Sequence, residues 1–305
     1  MEYSIIDKKV LSSNNTTQLV GKVYLPVGEI KGYFHVVHGM TEHIARYDSF
    51  MRTMAEAGYI TFAYDHLGHG KTATNDSELG HFADKGGDDI ISKDVMVFAD
   101  AIRQEYGNYP YYLMGHSMGS FVVRRTVQKY ITPDKLIVMG TGGPLPISIV
   151  GVYLARFIRA IRGPKHYSPL MDMIAFGSYN SKFPKEEGPH AWLTNNASIR
   201  DTYQNDKFCT FNFTVSAMHD LIHLLNLVNR DEWFENVAKK MPILLVSGSD
   251  DVVGDYGKGV LAVDKKLSEK GANVTTKLYK GNRHEILNDF AREECIKDIL
   301  NFIAE

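Results

Sequence analysis

Short apolar runs alternate with longer amphipathic ones through most of this 305-residue chain. Residues 18–25, 32–38, 59–65, 111–115, 135–140, 242–247 and 273–279 read as strands. Several are apolar almost throughout, as expected of parallel strands covered on both faces. Apolar positions at helical spacing mark 46–57, 89–106, 118–130, 257–270 and 285–303. Strands alternating with helices predict an α/β fold: a mostly parallel central sheet with helices on both faces and an antiparallel edge from the first strands. Chemistry in such a sheet gathers beyond the carboxyl ends of its strands.

Between Thr141 and Arg230 the alternation stops. Gly142-Gly143-Pro144-Leu145-Pro146 leads into a segment rich in Phe, Tyr, Ile and Met that is too long for a plain connection. We therefore expect a core of 1–141 and 231–305 with 142–230 inserted as a mainly helical cap over the active site. Within it, 147–162 predicts a helix with Ile147, Val150, Leu154, Phe157, Ile158 and Ile161 on one face and Arg156 and Arg159 opposite. That face either packs on an acyl tunnel, the favoured reading because most such stripes are core, or dips among lipid tails with Arg156, Arg159, Arg162 and Lys165 near headgroups.

Composition is that of an ordinary globular protein, 44% apolar and 23% charged, so a sizeable core is available. The net charge of −2 gives no basic excess to attract nucleic acid. Cys209 and Cys295 are too few for a disulfide framework and read as free thiols. The start, Met1 to Asp7, lacks a basic n-region and an apolar h-region, so a cytoplasmic location is expected. No apolar stretch approaches the roughly 20 residues that span a bilayer, and nothing in the chain specifies an oligomeric state.

The candidate chemistry starts where Tyr111-Tyr112-Leu113-Met114 runs into Gly115-His116-Ser117-Met118-Gly119 and then a helix. A serine on a sharp strand-to-helix turn has its hydroxyl lifted clear of the sheet, and flanking glycines relieve the crowding of the turn. The backbone N–H of Met118, at the helix start, then points where a carbonyl oxygen becomes negative. Serine is a poor nucleophile at neutral pH and needs a base, itself oriented by a third group. In this arrangement the chain order is Ser, acid, His. His284 is the single histidine after His223 and follows a strand. The preceding strand ends in Gly248-Ser249-Asp250-Asp251, where both aspartates are candidates; Asp251 is preferred, with Asp250 a turn-forming neighbour and Asp255 third.

With these residues in place, the chain resembles the monoacylglycerol lipase and lysophospholipase branch of the α/β-hydrolases. Five segments carry the resemblance in the family's order: His38 to His43 with Arg46-Tyr47, Asp65-His66-Leu67-Gly68-His69-Gly70, the Ser117 pentapeptide, Gly248 to Asp251, and Arg283-His284-Glu285. The chain departs at Ser120, where the family often has a further Gly, and at Thr72, where it often has Ser; neither carries the chemistry. The resemblance implies Asp251 as the acid, His284 as the base and Met40 as the second oxyanion-hole N–H beside Met118. It also implies two-step acyl transfer to water without a cofactor, on a small-molecule substrate that is a single-chain lipid ester, a monoacylglycerol or lysophospholipid. The cap is compatible with transient membrane contact, hence a cytoplasmic protein peripheral at the membrane.

Alternative functions are a carboxylesterase for short or aromatic esters and an aminopeptidase-like amidase. The latter needs a cap carboxylate for a substrate ammonium, for which Asp172, Glu186 and Glu187 are the candidates. A binding protein that reuses the fold without turnover has no use for a complete Ser-Asp-His set. The spacings His35/His38 and His66/His69 invite a metal, but no Cys or carboxylate cluster completes a site, and no metal is expected. Glu42, His43 and Arg46 are expected to brace the oxyanion loop rather than to meet substrate.

Overall fold

The computed structural model describes residues 2–237 and 239–305. The strands are β1 (Tyr3–Leu11), β2 (Gln18–Pro26), β3 (Gly32–Val37), β4 (Tyr59–Tyr64), β5 (Tyr111–His116), β6 (Lys135–Met139), β7 (Ile243–Gly248) and β8 (Val274–Tyr279). They form one sheet in the order β1-β2-β4-β3-β5-β6-β7-β8. β1–β2 and β2–β4 are antiparallel, and every later pairing is parallel.

The two-residue period of the strands sorts their side chains into two cores. In β3, Tyr33 and Val37 join one cluster and Phe34 and Val36 the other. The first cluster is covered by α2 (Gly87–Tyr106), α3 (Met118–Lys129), α8 (Asp231–Val237) and α9 (Lys258–Glu269). The second is covered by α1 (Asp48–Glu56) and α10 (Arg292–Ala304). Both cysteines are buried free thiols.

Two elements differ from the sequence expectation. β1 was not expected: Ile5, Ile6 and Leu11 are 37%, 37% and 46% exposed, so no buried alternating face marks this edge strand. The last helix starts at Arg292 rather than at 285. Asn282 Oδ1 accepts the Ala291 N–H at 2.8 Å and Asp289 accepts the Arg283 N–H at 3.1 Å, which folds the intervening chain into a loop with one 3₁₀ turn, Ile286–Asn288.

Between β6 and α8 the chain inserts α4 (Ser148–Arg162), α5 (Pro169–Phe176), α6 (Ala197–Asn205) and α7 (Val215–Leu227). Ala217, Met218, Leu221 and Leu224 of α7 are buried with α2 and α3, and α4 packs along α7. The expected stripe on α4 is split. Leu154 and Ile158 pack partly on the core, whereas Ile147, Val150, Phe157 and Ile161 are 55–66% exposed. The fully buried positions of α4 are Ser148, Val152 and Ala155.

One side chain fastens the entry and the exit of this insertion. Wholly buried Arg124 on α3 donates to Thr141 Oγ1 (3.2 Å) and Gly142 O (3.3 Å) at the entry, and to Val228 O and Asn229 Oδ1 (3.1 Å) at the exit. Its guanidinium stacks on Trp233 at 4.4 Å. Burial pushes the group down to about 9, so at neutral pH it is still a cation, held by neutral oxygens. Arg124→Met fills similar space but strips the donors from those oxygens. It should lower unfolding stability in urea by about 2–4 kcal/mol, and an unchanged midpoint would show that the oxygens find other donors.

Candidate active site

β5 ends at His116 and α3 begins at Met118, so a single residue makes the turn. Ser117 takes φ 55° and ψ −122°, a region few non-glycine residues adopt. A Cβ on Gly115 would lie 2.3 Å from Gly119 O, and one on Gly119 would lie 2.2 Å from Val37 O. Only glycines allow the turn to close this tightly. Ser117 is partly exposed while its neighbours are buried.

The loop after β3 abuts this turn: a Cβ on Gly39 would lie 2.9 Å from Ser117 Cβ. Within the loop, the Gly39 N–H donates to Glu42 Oε1 and the Thr41 N–H to His69 Nε2 at 3.3 Å. The Met40 N–H between them has no acceptor among the described residues, and neither has the Met118 N–H at the start of α3. His69 Nδ1 donates to Leu67 O (3.0 Å), and His38 donates to Gly39 O (2.8 Å) while accepting from the His66 N–H (3.0 Å). Burial pushes both imidazoles down, His69 to about 3, so they are neutral struts with fixed tautomers. Asp65 accepts the N–H groups of Ile44 (2.9 Å) and Lys71 (2.7 Å) and ties the two loops together.

Asp251 lies beyond β7 and His284 beyond β8. The Asp251 carboxylate is fully buried; Oδ1 meets His284 Nδ1 at 2.9 Å and the Val253 N–H at 2.9 Å, and Oδ2 accepts from Ser247 Oγ at 3.1 Å. Burial alone would raise its pKa, but His284 and these donors hold it below the usual carboxylate value. Asp250 and Asp255, the other candidate acids, are exposed. His284 Nε2 is buried and has no partner among the described residues. The structure thus joins Asp251 to His284, starts α3 with Met118 directly after Ser117 and brings Gly39, the residue before Met40, against the serine, without a hydrogen bond from Ser117 to His284.

Beneath the site lies a buried Glu42–His116 pair. Glu42 Oε1 accepts from Gly39 and from Tyr47 Oη (2.8 Å) and meets His116 Nδ1 at 3.1 Å, while His116 Nε2 donates to the carbonyl of His284 at 3.2 Å. Desolvation would push His116 down, but the carboxylate of Glu42 outweighs it and holds the imidazole above its ordinary value. Desolvation likewise opposes charge on Glu42, and the hydrogen-bonded His116 beside it brings that carboxyl well below its usual range. Arg46 Nη2 pairs with Glu285 at 2.6 Å alongside.

Glu187, a candidate for holding a substrate ammonium, is already paired with Arg283 (2.6 Å) and Arg200 (3.3 Å). Glu186 is exposed, and burial raises the pKa of Asp172, which works against an anionic role. Among the described residues, His43, Asp206 and Cys209 are the group with metal-ligand atoms within 4.8 Å of one another. His43 Nε2 is already bonded to Asp206 Oδ2 at 2.9 Å, and the paired histidines of the sequence take no part. Sequence reasoning missed Trp192, whose ring centroid is 5.2 Å from that of His284. It sits in the aperiodic insertion, where no spacing singles it out.

The chain matches the family described as serine aminopeptidase, S33, over residues 28–291. It belongs to that family, in the monoacylglycerol lipase and lysophospholipase-like branch of the α/β-hydrolases, and has the serine-hydrolase chemistry of that scaffold. It is 26% identical to the monoglyceride lipase of Mus musculus over 268 residues, covering 86% of this chain and 78% of the relative. A thermostable carboxyl esterase from Bacillus coagulans, solved in complex with glycerol, superposes with a TM-score of 0.92 at 28% identity, covering 99% of this chain and 98% of the other. A soluble variant of the Saccharomyces cerevisiae monoglyceride lipase shares the fold at a TM-score of 0.76 and 18% identity, covering 100% and 95%.

The ion pair makes stability depend on pH. His116, raised above its ordinary 6.5, contributes stability that is complete below that value and is lost as pH climbs through the raised value. Glu42, lowered, contributes stability present above its ordinary 4.5 and lost only as pH falls through the lowered value. Glu42→Gln should therefore cost about 3 kcal/mol or more near neutral pH, and its deficit in melting temperature should shrink on the alkaline side. A deficit that does not vary with pH would mean that His116 is neutral in the fold.

Proposed function

We propose that this enzyme is a carboxylic ester hydrolase with a Ser117-His284-Asp251 triad, and that its substrates are single-chain lipid esters, monoacylglycerols or lysophospholipids. The observation that carries the chemistry is the buried Asp251–His284 pair packed against His116, the residue that precedes the strained Ser117 turn, with the acceptor-free N–H groups of Met40 and Met118 in the adjoining loop and helix start. Ser117 attacks the ester carbonyl while His284 Nε2 takes its proton. Asp251, on Nδ1, fixes the tautomer and stabilises the imidazolium. The N–H groups of Met40 and Met118 bind the oxyanion as it forms. His284 protonates the departing alcohol, and a water activated by the same nitrogen releases the acid. No step calls for a cofactor.

The lipid reading is supported by the names of the relatives and by the outer face of α4. Residues 142–230 are taken as the cap, and its exposed Ile147, Val150, Phe157 and Ile161, continued by Met173 (64%) and Ile174 (58%) of α5, as a surface that rests in a lipid interface. The protein would then be cytoplasmic and peripheral at the membrane. The carboxyl esterase likeness favours a second reading, hydrolysis of short or aromatic esters. An acyl-length series offered as monoacylglycerols, lysophospholipids and p-nitrophenyl esters separates the two: an optimum at long chains supports the lipase reading, and steady preference for the shortest acyl group removes it.

Ser117→Ala and His284→Ala should each abolish covalent labelling by a fluorophosphonate. Asp251→Asn should cut turnover by on the order of 10⁴-fold, the size of effect known when a triad acid is neutralised, while Asp250→Asn leaves it near wild type; the reverse ranking would move the acid to Asp250.

For the interface, Phe157→Glu should reduce activity on vesicle-borne substrate and spare a soluble short ester, because the charge opposes insertion without reaching the triad. Leu154→Glu, which packs partly on the core, should lower both activities together with the melting temperature. Equal losses on the two substrates with Phe157→Glu would remove the membrane contact.

A further inference from the structure

His284 is held at Nδ1 by one hydrogen bond, so the tilt of its buried ring about that contact is set by what packs against it. Two rings pack against it: His116, with centroids 4.7 Å apart, and Trp192, at 5.2 Å with planes inclined by 39°. His116 is pinned by Glu42 and Tyr47. Trp192 comes from the insertion and is itself backed by Tyr179 (5.0 Å), which is backed by Phe176 (5.4 Å).

The chain around Trp192 grips the His284 loop on both sides of the imidazole. Arg283 Nη1 donates to Ala191 O at 2.7 Å, and the Glu285 N–H donates to Leu193 O at 2.7 Å. Further along, Thr194 Oγ1 donates to Asn288 O (2.8 Å) and Asn195 Nδ2 to Gly281 O (2.9 Å). Asn180 Oδ1 accepts the Trp192 N–H at 3.1 Å. Nearby, the ammonium of Lys182 sits 3.6 Å over the ring of Tyr256, in the loop that follows Asp251. The same stretch of the insertion therefore touches the loops of both the acid and the base. Trp192 is partly buried and packs against the small cluster of Leu193, Tyr203 and Cys209, so these bonds and that packing together set its place against the imidazole.

We infer that Trp192 is a positioning residue for His284: its indole limits the swing of the imidazole and keeps Nε2 directed at Ser117, and the segment 180–195 is the brace that holds it there. This rests on the triad reading above. A base displaced by even about an ångström loses much of its rate, on the order of 100-fold, while substrate binding elsewhere is untouched.

The test compares Trp192→Phe, which keeps a flat ring, with Trp192→Leu, which keeps an apolar side chain without one. Each is assayed for fluorophosphonate labelling rate, for kcat and KM on p-nitrophenyl acetate, and for melting temperature. The expected result is that Trp192→Leu lowers labelling rate and kcat together by about 10- to 100-fold with KM within about two-fold, and that Trp192→Phe recovers most of both. A change confined to KM would make Trp192 a substrate contact and overturn the inference. So would labelling of Trp192→Leu at the wild-type rate, or equal losses in both variants tracking a lower melting temperature. Failure of the triad reading looks different: the wild type would not label, or Ser117→Ala would still label, whatever residue stands at 192.

Discussion

The rest of the site depends on the backbone of one residue. Holding Ser117 at φ 55° and ψ −122° costs on the order of 1–3 kcal/mol. The strain persists because both sides of the turn are fixed: β5 is paired with β3 and β6 up to its last residues, and α3 starts immediately after. Gly119 presses on the carbonyls of Val37 and His38, so the chain leaving β3 has no choice but to start its loop against the serine. The nearness of Gly39, and so of the loop that carries Met40, to Ser117 is thus a packing consequence of the turn. The loop's own hydrogen bonds then decide which amide is left over: Gly39 and Thr41 are taken, and Met40 is not.

A buried carboxylate is costly unless it is fully paired, and the fold turns that requirement into positional information. Glu42 gathers the Gly39 N–H, the Tyr47 hydroxyl and His116 Nδ1, and His116 Nε2 reaches the carbonyl of His284. Three loops, from the ends of β3, β5 and β8, are thereby placed relative to one another by a single acid. Shifting any one of them leaves a buried charge short of a partner, so the network resists the small displacements to which catalysis is most sensitive.

What could be read in the sequence follows the same division. The strands with two buried faces and the helices with one announced themselves by period, and the serine turn by its glycines. β1 did not, because an edge strand exposed on both faces has no hydrophobic period to show. The choice among Asp250, Asp251 and Asp255 could not be made by spacing: adjacent residues of a turn point in different directions, and only the fold shows that Asp251 alone is buried against His284. The start of α10 was placed seven residues early because the apolar Ile286 and Leu287 continue a helical pattern that Asn282 and Asp289 interrupt by binding the backbone. Trp192 and Arg124 were silent for a different cause, since Trp192 meets His284 and Arg124 meets Val228 and Asn229 far along the chain, where no local pattern links them.

The insertion is energetically uneven, and that unevenness bears on how a substrate enters. Displacing residues 187–195 would break the bonds of Arg283 to Glu187 and Ala191, of Glu285 to Leu193 and of Asn195 to Gly281, and would leave buried polar groups of the His284 loop unsatisfied. Displacing α7 would open the cluster it shares with α2 and α3. Along α5, by contrast, Met171 is the buried residue, and the outer side of α4 makes its contacts with solvent. Local opening follows the number of buried contacts to be lost, so the part of the insertion that grips the His284 loop is the part that resists movement. The exposed apolar side chains of α4 and α5 take no part in those bonds.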